Sequence, residues 1–337
     1  MDAVSATIAI LVTIFALGLI FYAAVMKLGF RLAGVRDLSW RRAVAVSVGV
    51  LSARVSALWL VSRAMTVETV GEHALRLAIL SGVDLAIVCV GVQAALGRKV
   101  WGWLLSAALM LPVGYGSVFL LKSYVVEAFI ADTVSMAPTL VGRHRGGTCP
   151  ECGATRYAYQ PRNPYEAREE ANAICANFHL TKLSGPAEPA HPKDQFLSLK
   201  LTSPRRWDLV TFRLPRQPST QYVKRLVGLP GETVVIKDGA VWIDGRRQTP
   251  PPAAAGLRHE DDLPDLGRRT VWGTERDPAV LGDDEYFVLG DFTLQSNDSR
   301  LWQSGAEGHN PYAVPASHIT GVVTLTHWPP SRWRRHR

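Results

Sequence analysis

The chain changes its pattern of apolar and polar positions once, near residue 122. Before that point apolar residues come in long runs. Residues 3–26 carry no charge at all, and 24 residues at 1.5 Å per residue span a hydrocarbon core of about 30 Å. Residues 43–62, 77–97 and 100–121 are three further runs of similar length. The pattern predicts about four transmembrane helices over residues 1–122. After Tyr124 the apolar runs become short and alternate with polar positions, the period of half-buried strands. Candidate strands lie at 207–214, 222–227, 233–236, 240–243, 285–289 and 319–326. Asp238-Gly239 between two of them suits a two-residue hairpin turn. The second part is therefore expected to be mainly β, with no long amphipathic helix and no internal repeat.

Charge gives the first part an orientation. Lys27, Arg31, Arg36, Arg41 and Arg42 crowd the loop after the first run, and Arg98-Lys99 forms the third loop. Basic loops stay in the cytoplasm, which puts the N-terminus and residues 123–337 on the exported side. A cleavable signal peptide is the competing reading of residues 3–26. It fits poorly, because Met1-Asp2 offers no basic leader and the apolar run is too long. Arg54 and Asp84 lie inside the second and third runs at nearly equal depth, and a charge in lipid is costly unless paired, so an intramembrane Arg54–Asp84 pair is expected.

Composition sharpens this picture in one respect. The 47% apolar content averages a membrane part with an ordinary folded part, and excludes a disordered chain. The net charge of +8 first suggests an anionic partner such as nucleic acid. Read by position, it comes mostly from topology-setting loops and a basic tail at 331–337, which argues for a lipid bilayer and against nucleic acid. That tail reads either as a lipid contact or as a loose solubilising end, with Trp328-Pro-Pro closing the ordered domain.

Two kinds of chemistry are legible in the second part. Ser135 follows a candidate strand and precedes Pro138, so a turn presents it. Lys224 lies in an apolar run between Val223 and Leu226. Burial there would disfavour its ammonium form and let a neutral amine take a proton from a serine hydroxyl; a solvated strand lysine is the plainer reading of the same residues. Separately, Cys149 and Cys152 form a C-x-x-C pair followed by Gly153, and Cys175 and His179 follow at C-x-x-x-H spacing. The set fits a Cys3His structural zinc site, with His144 and His191 as substitute ligands. A Cys149–Cys152 disulfide and free thiols are the alternatives on the exported side.

Four segments in order give the chain a resemblance to bacterial type I signal peptidases, membrane-bound Ser/Lys proteases. They are S-M-A-P-T-L from Ser135, R-W-D-L-V-T-F from Arg206, Y-V-K-R-L-V-G-L-P-G from Tyr222, and Gly290-Asp291 followed by S-N-D-S-R from Ser296 to Arg300. The resemblance implies a β catalytic fold with Ser135 as nucleophile and Lys224 as general base. It implies that Thr133 and the Ser135 N–H stabilise the oxyanion and that Ser296 orients the lysine. Asp291, Asp298 and Arg300 would brace the last loop. The implied substrates are exported preproteins with signal peptides, cut after small-x-small sequences, with no cofactor for catalysis. The domains would be 1–122 in the membrane, 123–145 with 198–330 as catalytic domain, and 146–197 as a zinc-ribbon-like insert. Three positions depart from the pattern: Val134 and Trp207 stand for glycines, and Phe292-Thr-Leu-Gln295 replaces a polar stretch. A peptidase specialised for few substrates, or an inactive scaffold using the Cys-rich insert, are the alternatives those departures raise.

Overall fold

The computed structural model describes residues 119–161, 170–184, 191–260 and 270–336, with scattered positions between 16 and 49. The chain divides into two compact units, residues 1–121 and 122–337. In the first unit the described positions are helical apart from Ser39. Among the described residues no helix is long and apolar enough to cross a membrane. The other positions of the four expected spans, and the expected Arg54–Asp84 pair, lie outside the described residues.

The second unit is built from antiparallel strands, as the short alternating runs predict. Its large sheet begins with β1 (Val126–Ile130) at one edge, paired to β6 (Gln195–Leu199). Next come β15 (Ile319–Trp328), β7 (Leu209–Leu214), β8 (Gln217–Gly228), β13 (Glu285–Leu289) and β14 (Val314–Pro315). A second sheet carries β9 (Thr233–Lys237) and β10 (Ala240–Ile243), flanked by β11 (Arg246–Arg247) and β12 (Ala279–Val280). The β9–β10 turn is the expected one: Lys237 pairs with Ala240, and Asp238 and Gly239 both have positive φ, 55° and 73°. Val227, Val234, Ile236, Val241, Phe287 and Leu289 form the apolar core between these sheets. Burying each such side chain is worth about 1.5–3 kcal/mol before entropy is counted.

The third sheet is a four-stranded meander of β2 (His144–Thr148), β3 (Thr155–Tyr159), β4 (Glu170–Cys175) and β5 (Leu180–Ser184). It occupies most of the expected insert 146–197. Gln195–Leu199 pairs instead in the large sheet, between β1 and β15.

The C-terminus corrects an expectation. Trp328-Pro-Pro does not close the ordered domain, and the tail is not loose. β15 is ten residues long, and β7 pairs only with its first half, Ile319–Val322. β16 (Arg334–Arg335) takes up the vacated second half, opposite Leu325 and Thr326. Unused backbone donors and acceptors on a strand are a template for another segment, and here the tail supplies it.

Candidate active site

Ser135 sits on a turn that folds back on itself. Gly142 N–H donates to Thr133 O at 3.0 Å and Arg143 N–H to Asp132 O at 3.2 Å, closing the neck. A side chain at Gly142 would lie 2.4 Å from the Thr133 backbone, so this close approach requires glycine. Met136 and Leu140 anchor the turn in an apolar cluster with Ala131, Phe196, Leu209 and Val323. The Ser135 N–H points at Thr133 Oγ1 (3.4 Å), and the Thr133 hydroxyl lies 3.1 Å from Ser135 Oγ. The two donors expected for an oxyanion thus stand together beside the nucleophile.

Lys224 comes from β8, where Val210 of β7 is its register partner. Its Nζ donates to Ser135 Oγ at 2.8 Å and to Val223 O at 3.2 Å, with the Tyr222 ring 5.2 Å away. The side chain is buried. Burial pushes the amine down to about 8, against the opposing pull of Asp298 and Asp291, while Arg300 lowers it further. The solvated strand lysine is therefore not the state of this residue.

The next residue of β8 was legible as sequence but carries a role that periodicity did not assign. Arg225 turns to the other face and forks onto Asp291, Nε to Oδ1 at 2.7 Å and Nη2 to Oδ2 at 2.5 Å. It also donates to Trp207 O (2.8 Å) and Thr139 Oγ1 (3.3 Å), tying the Ser135 turn to Asp291. Asp298 and Arg300 form a second fork, with both distances 2.9 Å and both side chains fully buried. Asp298 accepts the Gly290 N–H, and Arg300 donates to Glu260 O and to Thr293. Burial works against the Asp298 carboxylate, but the Arg300 charge and these hydrogen bonds hold it below the usual carboxylate range. His259, buried nearby, is pushed down to about 4 by burial and by Arg300, so it adds no charge at neutral pH.

Ser296 is placed next to the dyad but not as expected. Its buried hydroxyl makes no hydrogen bond to Lys224 among the described residues. A Cβ on Gly290 would fall 2.0 Å from Ser296 Oγ and 2.7 Å from Ser135 O, so glycine is what lets the two serine segments meet.

A groove of about 440 Å³ opens beside Ser135 and Lys224. Phe129, Ile130, Phe196, Tyr222 and Val223 make most of it apolar, and Tyr159 from β3 lines it as well. The cysteines lie at the end of the same small sheet. Ligand atoms of Cys149, Cys152, Cys175 and His179 all lie within 4.8 Å of one another. Cys152 and Cys175 sulfurs are 3.7 Å apart, and Cys149 Sγ is 3.8 Å from His179 Nδ1. The three described cysteines are free thiols, which goes against the Cys149–Cys152 disulfide. His144 Nδ1 donates to Gly142 O at 2.7 Å and its ring stacks on His191, outside this cluster.

The family model for signal peptidase, peptidase S26, matches residues 101–328, more than half of the chain and the whole of this site. The chain belongs to the signal peptidase S26 family. It is similar to a signal peptidase I of Rickettsia bellii strain OSU 85-389, 31% identical over 233 residues, 62% of this chain and 70% of that protein. It is also similar to one of Leptolyngbya laminosa, 33% identical over 143 residues, 40% of this chain. The chain spans 59% of the length of that second relative. A crystal structure of a signal peptidase I from Enterococcus faecalis V583 is 27% identical and covers 36% of this chain and 98% of its own, with a TM-score of 0.25.

Within this member of the S26 family the three departures find physical explanations. Trp207 has φ +73°, a backbone region that glycine enters freely and other residues rarely do. Its ring packs on the core between the two larger sheets, and its carbonyl holds Arg225. Val134 and Phe292 bury against each other's surroundings in one cluster with Ala137, Val141, Tyr157 and Ile174. Tyr157 and Ile174 belong to the small sheet, so the loop that lost its polar residues is the loop this sheet covers.

Proposed function

We infer that the protein is a serine endopeptidase that removes signal peptides from exported preproteins, with Ser135 as nucleophile and Lys224 as general base. The observation that carries this reading is the buried 2.8 Å contact from Lys224 Nζ to Ser135 Oγ. In the acylation step neutral Lys224 takes the Ser135 proton as Oγ bonds to the scissile carbonyl carbon. The carbonyl oxygen takes the negative charge and faces the Ser135 N–H and the Thr133 hydroxyl. Breaking the C–N bond then releases the amine, which receives the proton from Lys224. Water, deprotonated by the same amine, hydrolyses the acyl-serine. The groove's largely apolar walls, Phe129, Ile130, Tyr222 and Val223 among them, are in keeping with cuts after small-x-small sequences. The test is preprotein cleavage by wild type, Ser135→Ala and Lys224→Met. Both variants should lose at least about a thousandfold in kcat, because acyl transfer without nucleophile or base retains only the binding and oxyanion contributions. Equal processing by all three overturns the reading.

The basic loops and apolar runs support a membrane-anchored, multi-pass protein of the cytoplasmic membrane with this unit on the exported side. Labelling of single cysteines placed in the 27–42 and 63–72 loops, by a membrane-impermeant reagent on intact cells, checks it. Labelling of the first and not the second would reverse the topology.

The cysteine cluster supports a structural zinc that staples the insert. Four ligands in tetrahedral array with Zn–S bonds of about 2.3 Å leave sulfurs about 3.8 Å apart, close to the 3.7 Å observed. The N–H groups of Asn177 and His179 both point at Cys175 Sγ, 3.3 Å away, as suits a thiolate ligand. With all four positions filled by protein, the ion would have no open site for catalysis.

A further inference from the structure

The C-terminal tail does more than complete the sheet. Arg332 forks onto Asp194, Nε to Oδ1 and Nη2 to Oδ2, both at 2.8 Å. The same Nη2 donates to Pro138 O at 3.0 Å, and Nη1 donates to the Tyr157 hydroxyl at 2.8 Å. Asp194 is fully buried and its Oδ2 also accepts the Val141 N–H at 2.9 Å. Two residues on, Arg334 donates to Thr139 O at 2.6 Å. His336 Nε2 contacts Thr326 Oγ1 at 2.8 Å, and its N–H donates to Thr324 O at 3.0 Å, fixing the tail beyond both arginines. Two backbone carbonyls, Pro138 O and Thr139 O, are thus held from the C-terminus, and Val141 N is held by the Asp194 that Arg332 grips. They belong to the turn that carries Ser135.

We propose that Arg332, with Asp194, is a positioning residue for the peptidase reaction: it clamps the descending limb of the Ser135 turn so that the nucleophile keeps its place against Lys224. Gly142 and Arg143 close the neck and Met136 and Leu140 sit in the core, but among the described residues the carbonyls of Pro138 and Thr139 accept no backbone N–H. Without the tail they would lose these two donors, on a chain only three to four residues from the nucleophile. A planar guanidinium suits the task because one group reaches a carboxylate, a carbonyl and a phenol at once, which an ammonium cannot do. The clamp also explains why Tyr157 of the small sheet reaches the tail: its ring lies 5.2 Å from the Arg332 guanidinium carbon and forms one wall of the arginine's seat.

The proposal rests on the Ser135–Lys224 reading, and the experiment separates the two. The full chain in detergent is compared with Arg332→Ala, Arg332→Lys, Arg335→Ala and Ser135→Ala, measuring kcat and KM on a preprotein and hydrogen exchange over residues 136–142. Small misplacements of a reacting group cost up to about a hundredfold in rate. Arg332→Ala should lower kcat by about ten- to a hundredfold with KM within about twofold. Its amides at Leu140 and Val141 should exchange faster, and Arg332→Lys should recover part of both. Arg335→Ala, on the exposed side of the same tail, should match wild type. Unchanged kcat in folded Arg332→Ala, or full activity in Arg332→Lys, overturns the clamp. So does unchanged exchange over 136–142, a readout that decides the clamp even if the wild type fails to cleave. That last failure, or cleavage by Ser135→Ala, would count against the peptidase reading instead.

Discussion

The backbone N–H of Phe292 donates to the carbonyl oxygen of Ser135 at 3.1 Å. The loop that departs most from the family pattern therefore touches the nucleophile directly. Phe292 keeps that contact with its ring fully buried among Val134, Ala137 and the small sheet's Tyr157 and Ile174. The charges usual in this loop would be unsatisfied under such a cover, so an apolar loop and an apolar Val134 go with the added sheet. Phe292→Ala should cost about 3–5 kcal/mol through the cavity it leaves. For a unit of this size that lowers Tm by roughly 10 °C, which thermal unfolding measures, and kcat should fall with it. A variant as stable as wild type would show that the cluster carries no load.

Lys224 sets the pH dependence. Below about pH 8 its amine is protonated and has no lone pair to accept the Ser135 proton. Then kcat/KM should fall about tenfold per unit of pH below that value and level off above it. Stability moves in the same direction over a different window. The folded chain loses this proton near 8 and the unfolded chain near 10.5. Between those values the unfolded state binds more protons, so the contribution of Lys224 to stability rises with pH there; below 8 both states are protonated and the buried ammonium is a constant cost. An activity midpoint near 10.5 would mean that the lysine is solvated.

Trp207 combines a strained backbone with a packed ring. Its φ of +73° costs a non-glycine residue about 1 kcal/mol or more, while the ring's burial returns more than that. Stability should therefore order as Trp207, then Gly, then Ala: glycine loses the packing but sheds the strain, and alanine loses the packing and keeps the strain. Trp207→Gly should be more stable than Trp207→Ala by about 1 kcal/mol in urea unfolding. The reverse order would place the strain elsewhere.

What could be read from sequence divides by range of interaction. The β9–β10 hairpin is written in two adjacent residues whose conformational preferences decide it, and β10 and β13 fall where their alternation ends. The dyad was legible because its two segments each carry several matching residues in order. Arg225–Asp291 and Arg332–Asp194 were not, because each joins residues 66 and 138 positions apart through side chains that, taken singly, look like surface charge. The tail shows the same limit. Arg332, Arg334 and Arg335 read as a lipid contact or a loose basic end until the unpaired half of β15 is known, since no local pattern announces a vacant strand edge. Ser296 shows the other side: its segment was found, but how closely it meets the Ser135 segment depends on the room that Gly290 leaves, which only the fold supplies.

Metal removal tests the small sheet's part in the site. Ile174, Leu180 and Phe178 pack around Val134 and Phe292, and Phe178 lies between the proposed ligands Cys175 and His179. A Cβ on Gly256 would come within 2.9 Å of the Phe178 ring, so the 252–258 loop rests on this knuckle too. The purified chain should hold about one zinc, and a chelator should remove it with a loss of at least about 3 kcal/mol, because the small sheet has little core of its own and metal-binding energy becomes folding energy. That loss corresponds to a fall in Tm of roughly 6–12 °C. Cleavage should weaken in step, since the sheet covers the turn that carries Ser135, and Cys152→Ser should reproduce both effects without chelator. Zinc well below one per chain, or an unchanged Tm after its removal, would leave the four residues as three thiols and an imidazole held by hydrogen bonds alone.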